Sequence, residues 1–260
     1  MGVPYAHRQQ LDELGYTIIP DVLTQPEIDA YKARLLELAE LEREDGSARV
    51  HTDGDGQLVR WLVNKGEMFE RMLAHPKVDP YFTYLLGDDY TLSTLTSNII
   101  SPGAKDGDYH RDHAAGRVGG VVPFPLVANT LWPLEDFTPE NGGTRLVPGS
   151  HKFPEGPEPG LESHPDEIRV EAPRGSVMLF NGMVWHSAGA NRTDTARIAL
   201  ICFCCRSFLK PMFDFVRHLE PEVLARATPE KRRLYGFDSQ PGPPDRPTKQ
   251  SARPVTQRGS

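Results

Sequence analysis

His110 and Asp112 flank Arg111 in the stretch "YHRDHAAG", residues 109–116. An imidazole and a carboxylate two residues apart can bind one cation if the chain is extended there. Side chains i and i+2 of a strand share a face, and the residue between them points away. The tripeptide alone decides nothing. With nine His and 36 acidic residues, composition itself generates H-x-[DE], and the chain holds further copies at His51, His164 and His218. Surroundings separate them. His51 lies in the polar run "RVHTDGDGQ" and His164 in a Pro/Gly-rich loop. His218 falls in a helical pattern, where a two-residue step does not share a face. Only His110 and Asp112 follow a predicted strand.

A metal site needs a third ligand. "GSVMLFNGMVWHSAGANRTDTARIAL" supplies His186 at the end of an apolar strand, and Arg197 at the start of the next. Two His and one carboxylate form the facial triad that holds non-haem Fe(II) and leaves open positions for a chelating 2-oxo acid and O₂. Arg197 then offers a planar fork for the far carboxylate of 2-oxoglutarate. Arg192 is a rival, in the turn-like "GANRTD", where a solvated side chain is expected.

The elements that position these residues fall into two regions. Residues 1–89 read mostly helical. Thr24 and Glu27 form a capping box with Pro26 in the first turn, and Ile28, Tyr31, Leu35 and Leu38 give an apolar face. "GYTIIPD" is a short strand candidate, and residues 67–87 suggest two short helices broken around Pro76 to Pro80. From residue 90 to about 210 the chain reads as strands: "YTLSTLTSNII", "LVANTLWPLED", "TRLVPG", "EIRVEAP", "GSVMLFNGMVWHSA" and "ARIALICFCC". Such a series suggests a sandwich, jelly roll or barrel. A final helix is expected through 220–236, and 238–260 reads as a polar, proline-rich tail.

Bulk properties fit one soluble domain over 1–237. The net charge of −7 argues against a nucleic-acid binder. No apolar run is long enough to span a membrane, and "MGVPYAHRQQ" lacks a secretory pattern. Cys202, Cys204 and Cys205 cluster in "ICFCCRS" and make a poor disulfide framework. They read as small buried strand residues in a reducing cytoplasm, with a Cys-rich metal site as the alternative.

"DYHRDHAAG", "DFTPENGGTRLVPGSHK" and "GSVMLFNGMVWHSAGANRTDTARIAL" together resemble the phytanoyl-CoA dioxygenase family of Fe(II)/2-oxoglutarate-dependent oxygenases. The N-terminal "LDELGYTIIPDVLTQPEIDAYKARL" is similar to that family's opening strand and helix. The resemblance covers roughly residues 10–210. It implies a mainly β fold with flanking helices around a double-stranded β-helix, the cupin-like jelly roll. It also implies His110, Asp112 and His186 as iron ligands and Arg197 as the 2-oxoglutarate anchor, with O₂ as co-oxidant and succinate and CO₂ as co-products. Family members that halogenate carry a small residue where Asp112 stands, so Asp112 implies hydroxylation, desaturation, epoxidation or rearrangement. "ENGGTRLVPGSHK" is assigned a structural role.

Other residues are weighed against bland readings. Asn98 and Thr130, on strands expected to line the barrel, are candidates to hydrogen-bond the oxo acid, with strand packing the alternative. His113 is one step out of phase with the ligand pair and reads as a neighbour of substrate. Trp132 reads as core and His151 as a turn residue. The apolar, glycine-rich stretch 114–129 is either a lid or a core strand entered through a flexible turn. No basic cluster suggests a coenzyme-A phosphate site, so the expected substrate is a free, small, apolar, natural-product-type molecule acted on by a monomer or homodimer, without nucleic-acid or membrane partners. The rival readings are a cupin-like metalloenzyme that uses no oxo acid and a non-catalytic binding protein of the same fold.

Overall fold

The computed structural model describes residues 2–51, 55–112 and 123–237. His113, most of the stretch 114–129 and the tail 238–260 lie outside the described residues.

Two antiparallel sheets face each other. The larger has seven strands in the order β1-β8-β5-β10-β4-β3-β2, and the smaller has the order β7-β6-β9. In chain order these are β1 (Tyr16–Ile19), β2 (Arg49–Val50), β3 (Gly56–Leu58), β4 (Thr91–Ile100), β5 (Val127–Pro133), β6 (Arg145–Leu146), β7 (Ile168–Arg169), β8 (Val177–Asn181), β9 (His186–Ser187) and β10 (Arg197–Cys205). From β7 to β10 successive strands alternate between the small and the large sheet, as in the expected jelly roll.

The strand β10 sits at the centre of the large sheet. It pairs with β4 on one side and with β5 on the other. Its alternate residues divide two apolar cores. Ile198, Leu200, Cys202 and Cys204 face the helices and join the larger core, whereas Ala199 packs with Leu131, Met178 and Phe180 between the sheets. All three cysteines are buried free thiols, as expected of strand packing.

The helices cover the outer face. α1 (Tyr5–Glu13), α2 (Gln25–Glu44) and α3 (Asp79–Leu86) precede the main strands. The predicted capping box is present, with the Thr24 N–H donating to Glu27 Oε2 at 2.9 Å; such caps contribute about 1 kcal/mol. Ile28, Tyr31, Leu35 and Leu38 are buried together, as their spacing predicts. Among the described residues no helix is long and apolar enough to cross a membrane.

Two expectations need correction. The N-terminal part is less helical than expected: besides β1, which the strand candidate "GYTIIPD" anticipated, β2 and β3 also join the large sheet. The polar run "RVHTDGDGQ" contains the β2–β3 hairpin, which is too short and polar to give a period-two signal. The single helix expected over 220–236 is two short ones, α5 (Pro221–Ala225) and α6 (Pro229–Leu234), preceded by a further short helix, α4 (Phe215–His218). Thr228 caps α6 by accepting from the Lys231 N–H, and Pro229 starts it; the proline has no N–H with which to continue α5.

Candidate active site

His110 and His186 form an antiparallel bridge that extends the small sheet beyond β9. Each backbone N–H donates to the other's carbonyl at 3.1 Å. This pairing sets the two imidazoles side by side, with ring centroids 4.4 Å apart. Two residues on, the Asp112 N–H donates to Gly182 O at 2.9 Å. Extended chain thus carries Asp112 to the same face as His110, as the i, i+2 argument requires. One potential ligand atom from each of His110, Asp112 and His186 lies within 4.8 Å of the others. His186 Nε2 is 3.6 Å from Asp112 Oδ1.

Both histidines are held in the same tautomer. His110 Nδ1 lies 3.2 Å from Asp108 O, and His186 Nδ1 lies 2.9 Å from Val184 O. A carbonyl only accepts, so Nδ1 carries the proton and Nε2 presents its lone pair to the site. Burial lowers the pKa of His186 to about 4. One edge of His110 remains exposed, yet the protein around its ring, with His186 beside it, lowers its pKa to about 4 as well. Burial raises Asp112 to about 6, opposed by His110 and by the Asn129 amide. Asp112 Oδ2 is buried without a hydrogen-bond partner. Two neutral imidazoles and a carboxylate with an unsatisfied oxygen, all converging, fit a divalent first-row metal. Gly182 makes room for this: a Cβ there would fall 3.1 Å from Asp112 Cβ and 2.3 Å from Val127 Cγ2.

The cluster opens into a cavity of about 600 Å³ between the sheets. Register decides what lines it. Across the large sheet, Thr96 pairs with Ile201 and Ile201 with Leu131, while Asn98 pairs with Ala199. Thr96, Asn98, Leu131 and Ile201 all face the cavity, as do Asn129, Phe180 and Phe203. Thr130 is one step out of phase. It is fully buried on the helix side, donates to Cys202 O at 2.9 Å and accepts from Trp132 Nε1 at 3.0 Å. The expectation that Thr130 binds the oxo acid is therefore corrected: its hydroxyl is spent in the outer core. Trp132 packs there too, against His75.

Arg197 reaches the cavity from the start of β10 and is 2% exposed. Burial lowers its pKa to about 10, which still leaves it charged at neutral pH. Gly142 O accepts from Arg197 Nε at 3.1 Å and Nη2 at 2.9 Å, and the guanidinium lies 4.7 Å from the Phe137 ring centroid. "ENGGTRLVPGSHK" thus does more than close the core, because its Gly142 carbonyl sets the fork. No carboxylate pairs with Arg197 among the described residues, which leaves a buried cation facing a cavity. Arg192 is exposed, as its turn-like setting suggested.

Sequence reasoning passed over His51, Asn129 and Ser187. His51 was set aside as a loop residue, yet it lines the cavity and its Nε2 is 3.1 Å from Asn98 Oδ1. Asn129 Oδ1 and Ser187 Oγ are buried at the cavity without partners. Asn129 was within reach of the sequence, since the strand that made Thr130 a candidate puts Thr130 and Asn129 on opposite faces.

The sequence model of the phytanoyl-CoA dioxygenase (PhyH) family matches residues 11–199. The chain belongs to this family. As a PhyH-family protein it is an oxidoreductase of the dioxygenase class. Dioxygenase af480 of Aspergillus fumigatus is 28% identical over 237 residues, covering 87% of this chain and 75% of that protein. Among solved structures, the epimerase SnoN in complex with Fe³⁺, α-ketoglutarate and nogalamycin RO superposes with a TM-score of 0.65 at 19% identity, covering 83% of this chain and 90% of that one. HygX from Streptomyces hygroscopicus, with nickel, 2-oxoglutarate and hygromycin B bound, gives 0.64 at 16% identity, covering 80% and 90%. At these identities the two structures establish the shared PhyH-type fold.

Proposed function

We propose that this PhyH-family chain is an Fe(II)/2-oxoglutarate-dependent dioxygenase that hydroxylates a small, largely apolar natural-product-type metabolite. One observation carries the reading: a three-ligand cluster and a buried, carboxylate-free Arg197 line the same cavity. The first suits a metal with open positions, the second a dicarboxylate chelated to it. His110 and His186 would hold the iron through Nε2 and Asp112 through a carboxylate oxygen. Arg197, preset by Gly142 O, would take the far carboxylate of 2-oxoglutarate in two parallel charge-assisted bonds. Once bound, iron and 2-oxoglutarate supply the oxidising power, with succinate and CO₂ as co-products and O₂ as oxidant. The protein contributes orientation and a dry wall. Leu58, Leu131, Phe180, Ile201, Phe203 and Met212 make much of that wall apolar, which favours an apolar substrate. Its volume lies within the roughly 300–1,000 Å³ typical of small-molecule sites. Molecules bound in the structural neighbours support the natural-product class: SnoN was solved with nogalamycin RO and HygX with hygromycin B. The buried free thiols favour a reducing cytoplasmic setting.

The test is an anaerobic titration of the Fe(II)-loaded protein with 2-oxoglutarate, monitored by the weak visible charge-transfer band of the chelate. The band is expected to saturate at one equivalent. Its absence, with iron bound, would sink the cosubstrate reading. A metabolite screen for oxygen-dependent products heavier by one oxygen, formed with equimolar succinate, then tests hydroxylation; loss of two hydrogens instead would assign desaturation.

A further inference from the structure

We propose that His51 is a positioning residue: it turns the Asn98 amide so that its N–H₂ donates to an oxygen of the dicarboxylate held by Arg197. The inference rests on the cosubstrate reading above, for which Asn98 was already a candidate, and adds His51 to it.

The local fold delivers His51 to the site. Its backbone N–H donates to Gly56 O at 3.0 Å, closing the β2–β3 hairpin. The strand β3 pairs with β4 through Gly56–Ile100 and Gln57–Ile99. The hairpin therefore hangs the His51 ring beside the last residues of β4. Glycine at 56 is required by this approach. A Cβ there would fall 2.1 Å from Ile99 O and 3.1 Å from His51 Cδ2.

Chemistry then fixes the roles. His51 Nε2 lies 3.1 Å from Asn98 Oδ1. An amide oxygen only accepts, so His51 carries its proton on Nε2 and donates. With Oδ1 occupied, what Asn98 has left to offer is two N–H donors, and these have no protein partner among the described residues. Asn98 and Arg197 both line the cavity. Arg197 pairs with Ile100 across β4–β10, which makes Asn98 its diagonal neighbour on the same face. Such neighbours lie about 7–8 Å apart, within reach of one small molecule. Without His51 the amide is free to flip and to present its oxygen to an anion, which repels it. Asn98 is thus the group that touches the ligand, and His51 acts through it.

The experiment measures 2-oxoglutarate binding by calorimetry to the Mn(II)-loaded protein. It compares wild type, Asn98→Ala, His51→Ala, His51→Gln, the Asn98→Ala/His51→Ala double variant, and Arg197→Ala as a control, each checked for metal content and melting temperature. Loss of one hydrogen bond should weaken binding by about three- to tenfold in Asn98→Ala. His51→Ala should lose most of the same factor. The double variant should lose no more than Asn98→Ala alone, because the two residues act in series. His51→Gln should restore affinity, since glutamine Nε2 can donate from nearly the position of histidine Nε2. Additive losses, or a His51→Ala protein that binds 2-oxoglutarate normally, would overturn the proposal. The control keeps the two failures apart. If Arg197→Ala leaves binding intact, the cosubstrate reading itself falls. If Arg197→Ala abolishes binding while the His51 variants do nothing, only the positioning role falls.

Discussion

At the scale of single residues the proposed site divides into groups that would hold the metal and groups that would hold its partner. His110→Ala, Asp112→Ala and His186→Ala are each expected to abolish turnover and stoichiometric metal while the protein stays folded; metal analysis and circular dichroism check this. A near-active Asp112→Ala protein would refute the triad. Arg197→Ala leaves the ligands untouched, so metal binding survives. It removes the guanidinium that Gly142 O sets, at an expected cost of about 2–5 kcal/mol in cosubstrate binding, or roughly 30-fold to several-thousand-fold. Arg197→Lys should recover only part, because an ammonium lacks the planar fork. Arg192→Ala, exposed, should shift the 2-oxoglutarate KM by less than about threefold. The cluster also predicts an acid sensitivity of the metal-free protein. His186 has its pKa lowered to about 4 by burial, below its ordinary value. As pH falls from about 6.5 towards 4, the unfolded chain takes a proton that the folded ring refuses, and stability drops. Asp112, raised to about 6, acts in the opposite sense, because its folded form takes the proton first. His186→Gln should therefore flatten the decline in melting temperature between about pH 7 and pH 5, and an unchanged slope would contradict the assignment.

At the scale of elements, strand periodicity separates site from core. Asn129 and Thr130 are adjacent on β5, yet one lines the cavity and the other seals the outer core. Thr130→Val should leave 2-oxoglutarate affinity within about threefold and cost about 1–3 kcal/mol of stability, because the buried Trp132 indole N–H loses its acceptor. Denaturant unfolding beside a binding titration checks both halves. The same logic covers the cysteines. Joint replacement of Cys202, Cys204 and Cys205 by Ala should lower stability without changing metal content. What the sequence revealed, and what it hid, follows from element length. Nine- and ten-residue strands such as β10 and β4, and the capped twenty-residue α2, were plain in pattern and punctuation. The candidate triad was legible because His110 and Asp112 follow β4 and His186 follows the apolar β8, although a turn after Asn181 carries His186 into β9 of the small sheet rather than to the end of one long strand. The β2–β3 hairpin was not, since two- and three-residue strands carry no period, and His51 was lost with it. Thr130 went wrong for a different reason. A strand announces that its faces alternate, but which face meets the cavity depends on partners far away in sequence.

At the scale of the whole molecule, the jelly roll works because its outer face is clamped, leaving the inner face free to be a cavity. The clamp at the C-terminal end centres on Glu70, in the 3₁₀ turn 67–72, which is fully buried. Its carboxylate accepts from Arg226 Nε at 2.7 Å and from Lys231 Nζ at 3.1 Å, which brings α5 and α6 onto the helical layer. Tyr235 OH approaches the same carboxylate at 3.5 Å. None of these residues lines the catalytic cavity. Removing the carboxylate leaves two cations without their shared counter-charge, and breaking a buried ion pair in this way typically costs about 3–5 kcal/mol. Arg226 and Lys231 keep some solvent contact, with side chains 34% and 23% exposed, so the lower end of that range applies. Glu70→Ala should therefore lower the midpoint of chemical denaturation markedly. Glu70→Gln, which retains volume and one acceptor, should lower it less. Well below their melting temperatures both variants should bind metal and 2-oxoglutarate like wild type, because β4 and β10 are held by their own ladder. If Glu70→Ala instead weakened cosubstrate binding while remaining folded, the outer layer would be shaping the inner face, and the separation between clamp and cavity would have to be abandoned.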